Sequence, residues 1–266
     1  MSRRTTDPMA LRSPLLFALF GWYLRRRVRR AFHAVRLSGP LPVLPRDRPV
    51  IVFSNHPSWW DPAIYIVLAG RLFPDRPGFG PMEATALARY RFFRRLGIFG
   101  IDKGSAAGAR RFLQVCQQVL GGAGGAGGAA MLWVTAEGDF TDVRVRPVRL
   151  RPGIAHLASL VPNALLLPLA FDYVFWNESR PELLARFGAP IEADRSVRPA
   201  QWRERLEGAL TVEMDALAAE AIGRSPRRFT TLLRGRAGAA PTYDLYRRAR
   251  SLLAGQRFTA AHEEEA

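Results

Sequence analysis

Residues 50–61 read VIVFSNHPSWWD, and the fold class turns on how they are parsed. Val50-Ile51-Val52-Phe53 is apolar and mostly β-branched, which predicts a buried strand. The strand stops at Ser54-Asn55, because His56-Pro57 does not continue a central ladder to which proline donates nothing. Asp61-Pro62 then opens the apolar run 63–68. Asp at an N-cap with Pro at the first helical position is a helix-start signal. His56 therefore stands on a short loop between a strand end and a helix start. Asp61 lies five residues on, at the mouth of the helix, where the loop can bring its carboxylate to the imidazole. A neutral imidazole takes a proton from a hydroxyl, and a carboxylate on its far nitrogen fixes the tautomer and stabilises the imidazolium. The positive end of the helix keeps Asp61 ionised. Taken alone, the same spacing also suits a plain helix cap beside an ordinary loop histidine.

Working outward, the chain alternates strands and helices. Residues 82–96 read as helix, 96–103 as a turn and short strand, and Ser105 as the cap of a helix reaching 120. Residues 130–134 form a second strand ending at Ala136-Glu137-Gly138. Residues 153–160 read as helix, 164–171 as a third strand with Pro168 inside it, and 198–222 as a long amphipathic helix. The stretches 41–49, 73–81 (FPDRPGFGP) and 121–128 (GGAGGAGG) read as loops; the last lacks the lysine and spacing of a phosphate-binding loop. Residues 226–238 suit a basic loop or short helix, and 242–253 a final basic helix before an acidic tail. The expectation is an α/β fold: a single domain with a largely parallel mixed sheet flanked by helices. An N-terminal interfacial helix and a helical C-terminal extension flank it. The boundaries expected are 1–40 for a basic membrane-surface segment, 41–222 for the domain and 223–266 for the extension. His56 and Glu137 both lie past strand ends, the edge where open α/β sheets bind ligands.

With 266 residues, 48% of them hydrophobic, the chain buries a sizeable core. Cys116 is the only cysteine, so no disulfide forms within the chain and a reducing compartment is expected. It falls in a helical stretch and reads as an inert apolar residue. The net charge of +16 is almost all arginine; Lys103 is the only lysine. Such a charge calls for an anionic partner: membrane, nucleic acid or substrate. No zinc spacing or nucleic-acid signature is present, so no nucleic acid is expected. Residues 14–24, PLLFALFGWYL, are too short to span a bilayer, which takes about 20. Arginines 25, 26, 27, 29 and 30 come after them, whereas a secretory signal carries its charges first. That pattern suits an interfacial helix on anionic lipid, hence a peripheral protein on the cytoplasmic face of a membrane. The alternative is a helix packed on the domain with its arginines solvated.

Four blocks, in order across residues 50–175, resemble the glycerolipid acyltransferases typified by 1-acyl-glycerol-3-phosphate acyltransferase. Asn55-His56 through Asp61 is similar to the family's N-H-x-x-x-x-D. Gly97-Ile98-Phe99-Gly100-Ile101-Asp102-Lys103 resembles its G-x-x-F-I-D-R. Ala136-Glu137-Gly138 resembles the core of F-P-E-G-T-R, with Gly153 downstream, and Leu167-Pro168-Leu169 resembles the V-P-V strand. The resemblance implies transfer of an acyl group from acyl-CoA or acyl carrier protein to a lipid hydroxyl, without a cofactor, a metal or an acyl-enzyme. His56 would be the general base and Asp61 its orienting partner. Asn55, Trp60, Lys103, Glu137, Gly138 and Pro168 would form the substrate site. Of Trp59 and Trp60, one packs inward; the other either lines a channel or meets the membrane.

The departures from the family pattern matter. Lys103 stands where the second block has arginine, and Asp139-Phe140 replaces the Thr-Arg of the third. The nearby Arg144, Arg146 and Arg149 either substitute for the missing arginine or form a basic surface. Lysine grips phosphate as a point charge, without the bidentate fork. A lipid hydroxyl on something other than a phosphomonoester is therefore the expected acceptor. The competing reading is a catalytically weak lipid- or membrane-binding module of the same fold.

Overall fold

The computed structural model describes residues 7–121 and 130–237, together with Arg250. Its helices are α1 (Pro8–Leu11), α2 (Pro14–Ala31), α3 (Asp61–Leu72), α4 (Ala84–Arg89), α5 (Ala106–Leu120), α6 (Pro152–Leu160) and α7 (Pro199–Ile222). Its strands are β1 (Ala34–Ser38), β2 (Val50–Ser54), β3 (Gly78–Glu83), β4 (Ile98–Ile101) and β5 (Met131–Thr135), followed by β6 (Leu165–Val174), β7 (Glu182–Phe187), β8 (Ile191–Glu192) and β9 (Phe229–Arg234). They form one sheet in the order β4-β3-β5-β2-β6-β7-β1-β9, with β8 beside β6. The pairs β2–β5, β2–β6, β3–β4, β3–β5 and β1–β7 are parallel; β6–β7, β6–β8 and β1–β9 are antiparallel. This is the α/β architecture with a mostly parallel mixed sheet that the sequence predicts.

β2 is the hub, buried at every residue because helices cover both faces. Successive side chains point to opposite faces. Ile51 and Phe53 join a core with Phe112 of α5, Leu157 of α6 and Trp202 of α7. Val50 and Val52 join Leu24 and Val28 of α2 and Ile64 and Leu68 of α3. Ser105 caps α5 as expected, its Oγ accepting from Gly108 N at 2.9 Å. Cys116 is buried in α5, and burial pushes its thiol well up.

Several elements differ from expectation. The Gly-Pro stretch expected as loop contains β3. Its glycines suit close packing: a Cβ at Gly80 would stand 3.1 Å from Trp133 O. Pro81 is tolerated because β3 pairs with β5 only at Gly78 and Phe79, and from Gly80 onward with β4 alone. The helix expected over 82–96 is α4 and then a 3-10 turn, Arg91–Leu96, divided at Tyr90 by a non-helical ψ of 59°. Residues 226–228 form a 3-10 turn, but β9 follows where a loop or helix was expected. β1 and β9 extend the sheet beyond the boundaries expected at 41 and 222. The helix expected at 242–253 and the glycine run from 122 onward lie outside the described residues.

α2 is longer than the apolar run and carries the arginines within it. Gly21, Leu24 and Val28 are buried toward the domain, whereas Leu15, Leu19, Trp22 and Tyr23 are exposed. Among the described residues no helix is long and apolar enough to cross a membrane.

Candidate active site

The site is built where β2 stops. Leu169 of β6 pairs with Ser54, the last residue of β2. Two residues further, Phe171 meets the Asn55 side chain on the side where β2 has ended, while β7 continues to pair with it on the other. Asn55 Nδ2 donates to Phe171 O at 2.9 Å, and Phe171 N donates to Asn55 Oδ1 at 2.8 Å. The amide acts as one more rung of the ladder while the main chain turns away into the loop. Its donor and acceptor are both engaged there, so Asn55 positions the loop and does not face a substrate as expected.

His56 follows directly. Its backbone N donates to Glu137 Oε2 at 2.6 Å, and its O accepts from Thr141 N at 3.1 Å. The loop after β2 is thus held to the loop after β5. Glu137 is buried, and burial raises its carboxyl above the ordinary range, opposed by the His56 amide. Glu137 accordingly holds the main chain at His56.

His56 Nδ1 lies 2.7 Å from Asp61 Oδ2. Asp61 is fully buried and is the first residue of α3; Trp60 takes the cap position. The Asp61 side chain therefore turns back to the loop, not to its own helix as an N-cap would. Oδ2 also accepts from Ser58 N at 3.1 Å, and Oδ1 from the Tyr173 hydroxyl at 2.6 Å. Burial, then the charge of Asp61, pushes the Tyr173 phenol far up, which keeps it a donor. The contact engages Nδ1 of the imidazole and leaves Nε2 as the ring nitrogen not used by Asp61. The Phe140 ring lies against the imidazole, centroids 4.4 Å apart.

A cavity of about 800 Å³ opens beside His56. Its lining includes Gly78, Phe79 and Gly80 of β3 and Trp133, Val134 and Thr135 of β5. Lys103, Asp139 and Arg151 are at its polar rim; Phe17, Ile66, Leu96, Phe112 and Trp133 are among its apolar walls. Lys103 Nζ donates to Gly138 O at 2.7 Å and lies 3.8 Å from Asp139. Arg151 hydrogen-bonds Asp139, and this bond first, then the nearby cations, holds the Asp139 carboxyl below its ordinary range. Gly138 sits at φ 80°, where a Cβ would also stand 2.7 Å from Arg151 Cγ, so the turn requires glycine. Among the described residues no group of three His, Cys, Asp or Glu is placed to hold a metal ion.

Two expected site residues lie elsewhere. Trp60 packs inward on Phe32 at 5.1 Å, while Trp59 is 73% exposed. Pro168 is buried on β6 opposite Phe53 and against Gly188. Neither lines the cavity. Nor do Arg144, Arg146 and Arg149, for which a basic surface was the alternative: Arg144 pairs with Asp142, Arg146 with Asp215 and Arg149 with Glu207.

The family model for acyltransferases matches residues 38–172, half of the chain. The chain belongs to the acyltransferase family. No curated protein matches its sequence. Its fold is similar to the crystal structure of PlsC, the 1-acyl-sn-glycerophosphate acyltransferase of Thermotoga maritima, with a TM-score of 0.56 at 15% identity. The likeness covers 77% of this chain and 80% of that one. In this acyltransferase the two site residues the sequence reading missed are Tyr173 and Arg151. Tyr173 lies 112 residues from Asp61 and carries no local mark. Arg151 had one signal, its place directly before the helix start Pro152-Gly153.

Proposed function

We propose that this protein moves a fatty acyl group from acyl-CoA or acyl carrier protein to a lipid hydroxyl at an anionic membrane surface. One observation carries the reading: His56, oriented by buried Asp61, stands at the mouth of an apolar cavity with Nε2 unbonded among the described residues. Nε2 takes the hydroxyl proton as the acceptor oxygen attacks the thioester carbonyl. Asp61 stabilises the imidazolium. As the tetrahedral intermediate collapses, the C–S bond breaks and the proton passes from His56 to the leaving thiolate. Apart from acyl-CoA or acyl carrier protein as co-substrate, the scheme calls on no cofactor.

The outward face of α2 supports peripheral attachment. Leu15, Leu19 and Trp22 present apolar surface, and Arg26 lies over the Trp22 ring at 5.0 Å. For the acceptor, Lys103 and Arg151 already answer Asp139, so a phosphomonoester would compete with that carboxylate for both cations. A lyso-aminolipid or glycolipid hydroxyl avoids the competition. The test offers lysophosphatidate, a lyso-aminolipid and a glycolipid with acyl-CoA on anionic vesicles, reading thiol release and lipid products. The lysophosphatidate product should be minor, and His56→Ala should lose about 10²–10⁴ in rate. Near-wild-type turnover by His56→Ala would overturn the mechanism; a wide preference for lysophosphatidate would overturn the acceptor.

A further inference from the structure

Between α4 and β4 the chain carries an aromatic and basic surface that the catalytic site does not use. Residues 89–96 read RYRFFRRL, and Arg91–Leu96 form the short 3-10 turn. In such a turn side chains three residues apart eclipse. Phe93 and Leu96 are one pair and face inward, Phe93 half-buried and Leu96 buried. Phe92 and Arg95 are another pair, and both are exposed. Tyr90 and Phe92 stand 51% and 45% exposed on a turn that its own inner face anchors.

The turn is fixed to α2. Ser13 N, at the cap of α2, donates to Arg95 O at 2.8 Å. Phe20 of α2 lies 5.4 Å from Phe92 and 5.9 Å from Phe93, and it stacks on Tyr23 at 5.7 Å. Rings therefore run without a break from the exposed side of α2 onto the turn. Each half sets an arginine over an exposed ring: Arg26 over Trp22 at 5.0 Å and Arg89 over Tyr90 at 5.4 Å. Amphipathic rings flanked by cations suit the boundary between water and hydrocarbon.

Charge decides what covers this surface. No Asp or Glu occurs in residues 8–46 or 84–101. Arg89, Arg91, Arg94 and Arg95 make no ion pair among the described residues. A second copy of the chain, meeting the patch with its own, would set arginines against arginines. An anionic bilayer offers phosphates to the guanidinium groups and hydrocarbon to the rings. The same two elements also wall the cavity, through Phe17 of α2 and Leu96 of the turn.

We infer that the turn at residues 90–96 is a second membrane-docking element, which inserts Tyr90 and Phe92 beside α2 and sets Arg91 and Arg95 on lipid phosphates. The inference rests on the reading of α2 as an interfacial helix and adds to it a surface from the middle of the domain. Two elements fixed to one another dock the domain in one orientation, which a single helix does not.

The test reads the turn in place on the full chain. Cys116 is the only cysteine and is fully buried, so a thiol-reactive nitroxide goes to an introduced cysteine. Phe92→Cys places it on the turn. Val212→Cys places it on an exposed site of α7, which packs on the other face of the sheet from α2. On vesicles of phosphatidylcholine with phosphatidylglycerol, the label at 92 should gain access to oxygen and lose access to an aqueous nickel chelate. The label at 212 should do neither. Arg91→Gln/Arg95→Gln removes two charges from the surface and should weaken vesicle partitioning about thirtyfold. Tyr90→Ser/Phe92→Ser should weaken it as well. If the protein co-sediments with the vesicles while the label at 92 stays in water, the inference fails and attachment through α2 stands. If the unsubstituted protein does not co-sediment, the membrane reading fails and the inference with it.

Discussion

Asn55→Ala separates a positioning role from a substrate-binding one. The side chain is 1% exposed and serves both polar groups of Phe171, at 2.9 and 2.8 Å. Its removal leaves a buried N–H and a buried C=O unsatisfied, at about 1–3 kcal/mol each, hence about 2–6 kcal/mol in total. Against a total stability of about 5–15 kcal/mol that is a large loss. With a urea slope of about 2–3 kcal/mol per molar, the unfolding midpoint should fall by about 0.7–3 M. Asn55→Asp should not rescue it. The carboxylate still accepts from Phe171 N but sets a second acceptor against Phe171 O. Because His56 is the next residue, kcat should fall as the loop loosens, while KM for the acceptor changes little. An unchanged midpoint with a raised acceptor KM would refute the clamp and return Asn55 to the substrate site.

Tyr173→Phe keeps the ring near Phe32 but removes the donor to Asp61, a charge-assisted bond of about 1.5–3 kcal/mol. Thiol release should fall about tenfold in kcat with a small change in KM; unchanged kcat would show that Ser58 N and His56 suffice to hold the carboxylate. Glu137→Gln keeps an acceptor for His56 N and removes a carboxyl whose value in the fold is raised. The folded state then holds more protons than the unfolded one above about pH 4.5. Wild-type stability should therefore decline as pH rises through that window and level off above the raised value. The Gln variant should lack that slope in pH-dependent urea melts, and identical slopes would contradict the assignment. Changing Arg25, Arg26 and Arg27 to Glu should abolish co-sedimentation with anionic vesicles, each basic residue near the surface contributing about 1 kcal/mol. Unchanged sedimentation would favour a role for α2 in packing alone.

What could be read from the sequence follows from where each signal lies. β2, β5 and β6 were legible because strands covered on both faces must be apolar runs, and α3 because Pro62 marks its start. β1 and β7 were not, because each carries a charge that only a distant partner explains. Arg36 in the buried strand β1 pairs with Glu182 of β7 at 2.6 Å, 146 residues away. Arg186 of β7 reaches Ser38 of β1 and Glu213 of α7. In one dimension AVRLS is the tail of a basic segment. β3 was hidden by its glycines, which serve close approach to Trp133 and not a turn. The site divides the same way. His56 and Asp61 are close in sequence, so a loop joins them. Tyr173, Arg151 and the Asn55–Phe171 clamp arise from β6 and α6 coming alongside β2 and β5, which local spacing does not encode.

The third block shows how a departure in sequence alters the chemistry at the base. In sequence, Asp139 stands where the family pattern has threonine. In the fold it is bonded to Arg151 and lies 3.8 Å from Lys103, so the rim is a small ion cluster and not a lone anion. The neighbouring position holds Phe140 against the imidazole instead of an arginine beside a ligand. In the proposed mechanism a cation there would oppose the imidazolium formed as the acceptor loses its proton, whereas an aromatic face tolerates it. The ring also covers part of His56, limiting water at a base that would otherwise promote hydrolysis of the thioester. Phe140 is itself 62% exposed, so its outer surface is available to an apolar part of the acceptor. The two substitutions therefore act together. Asp139 is bonded to Arg151 and lies near Lys103, and Phe140 puts apolar surface beside the imidazole. This arrangement is what the proposed acceptor rests on, a lipid alcohol approached through its hydrocarbon and hydroxyl in place of one held by a terminal dianion.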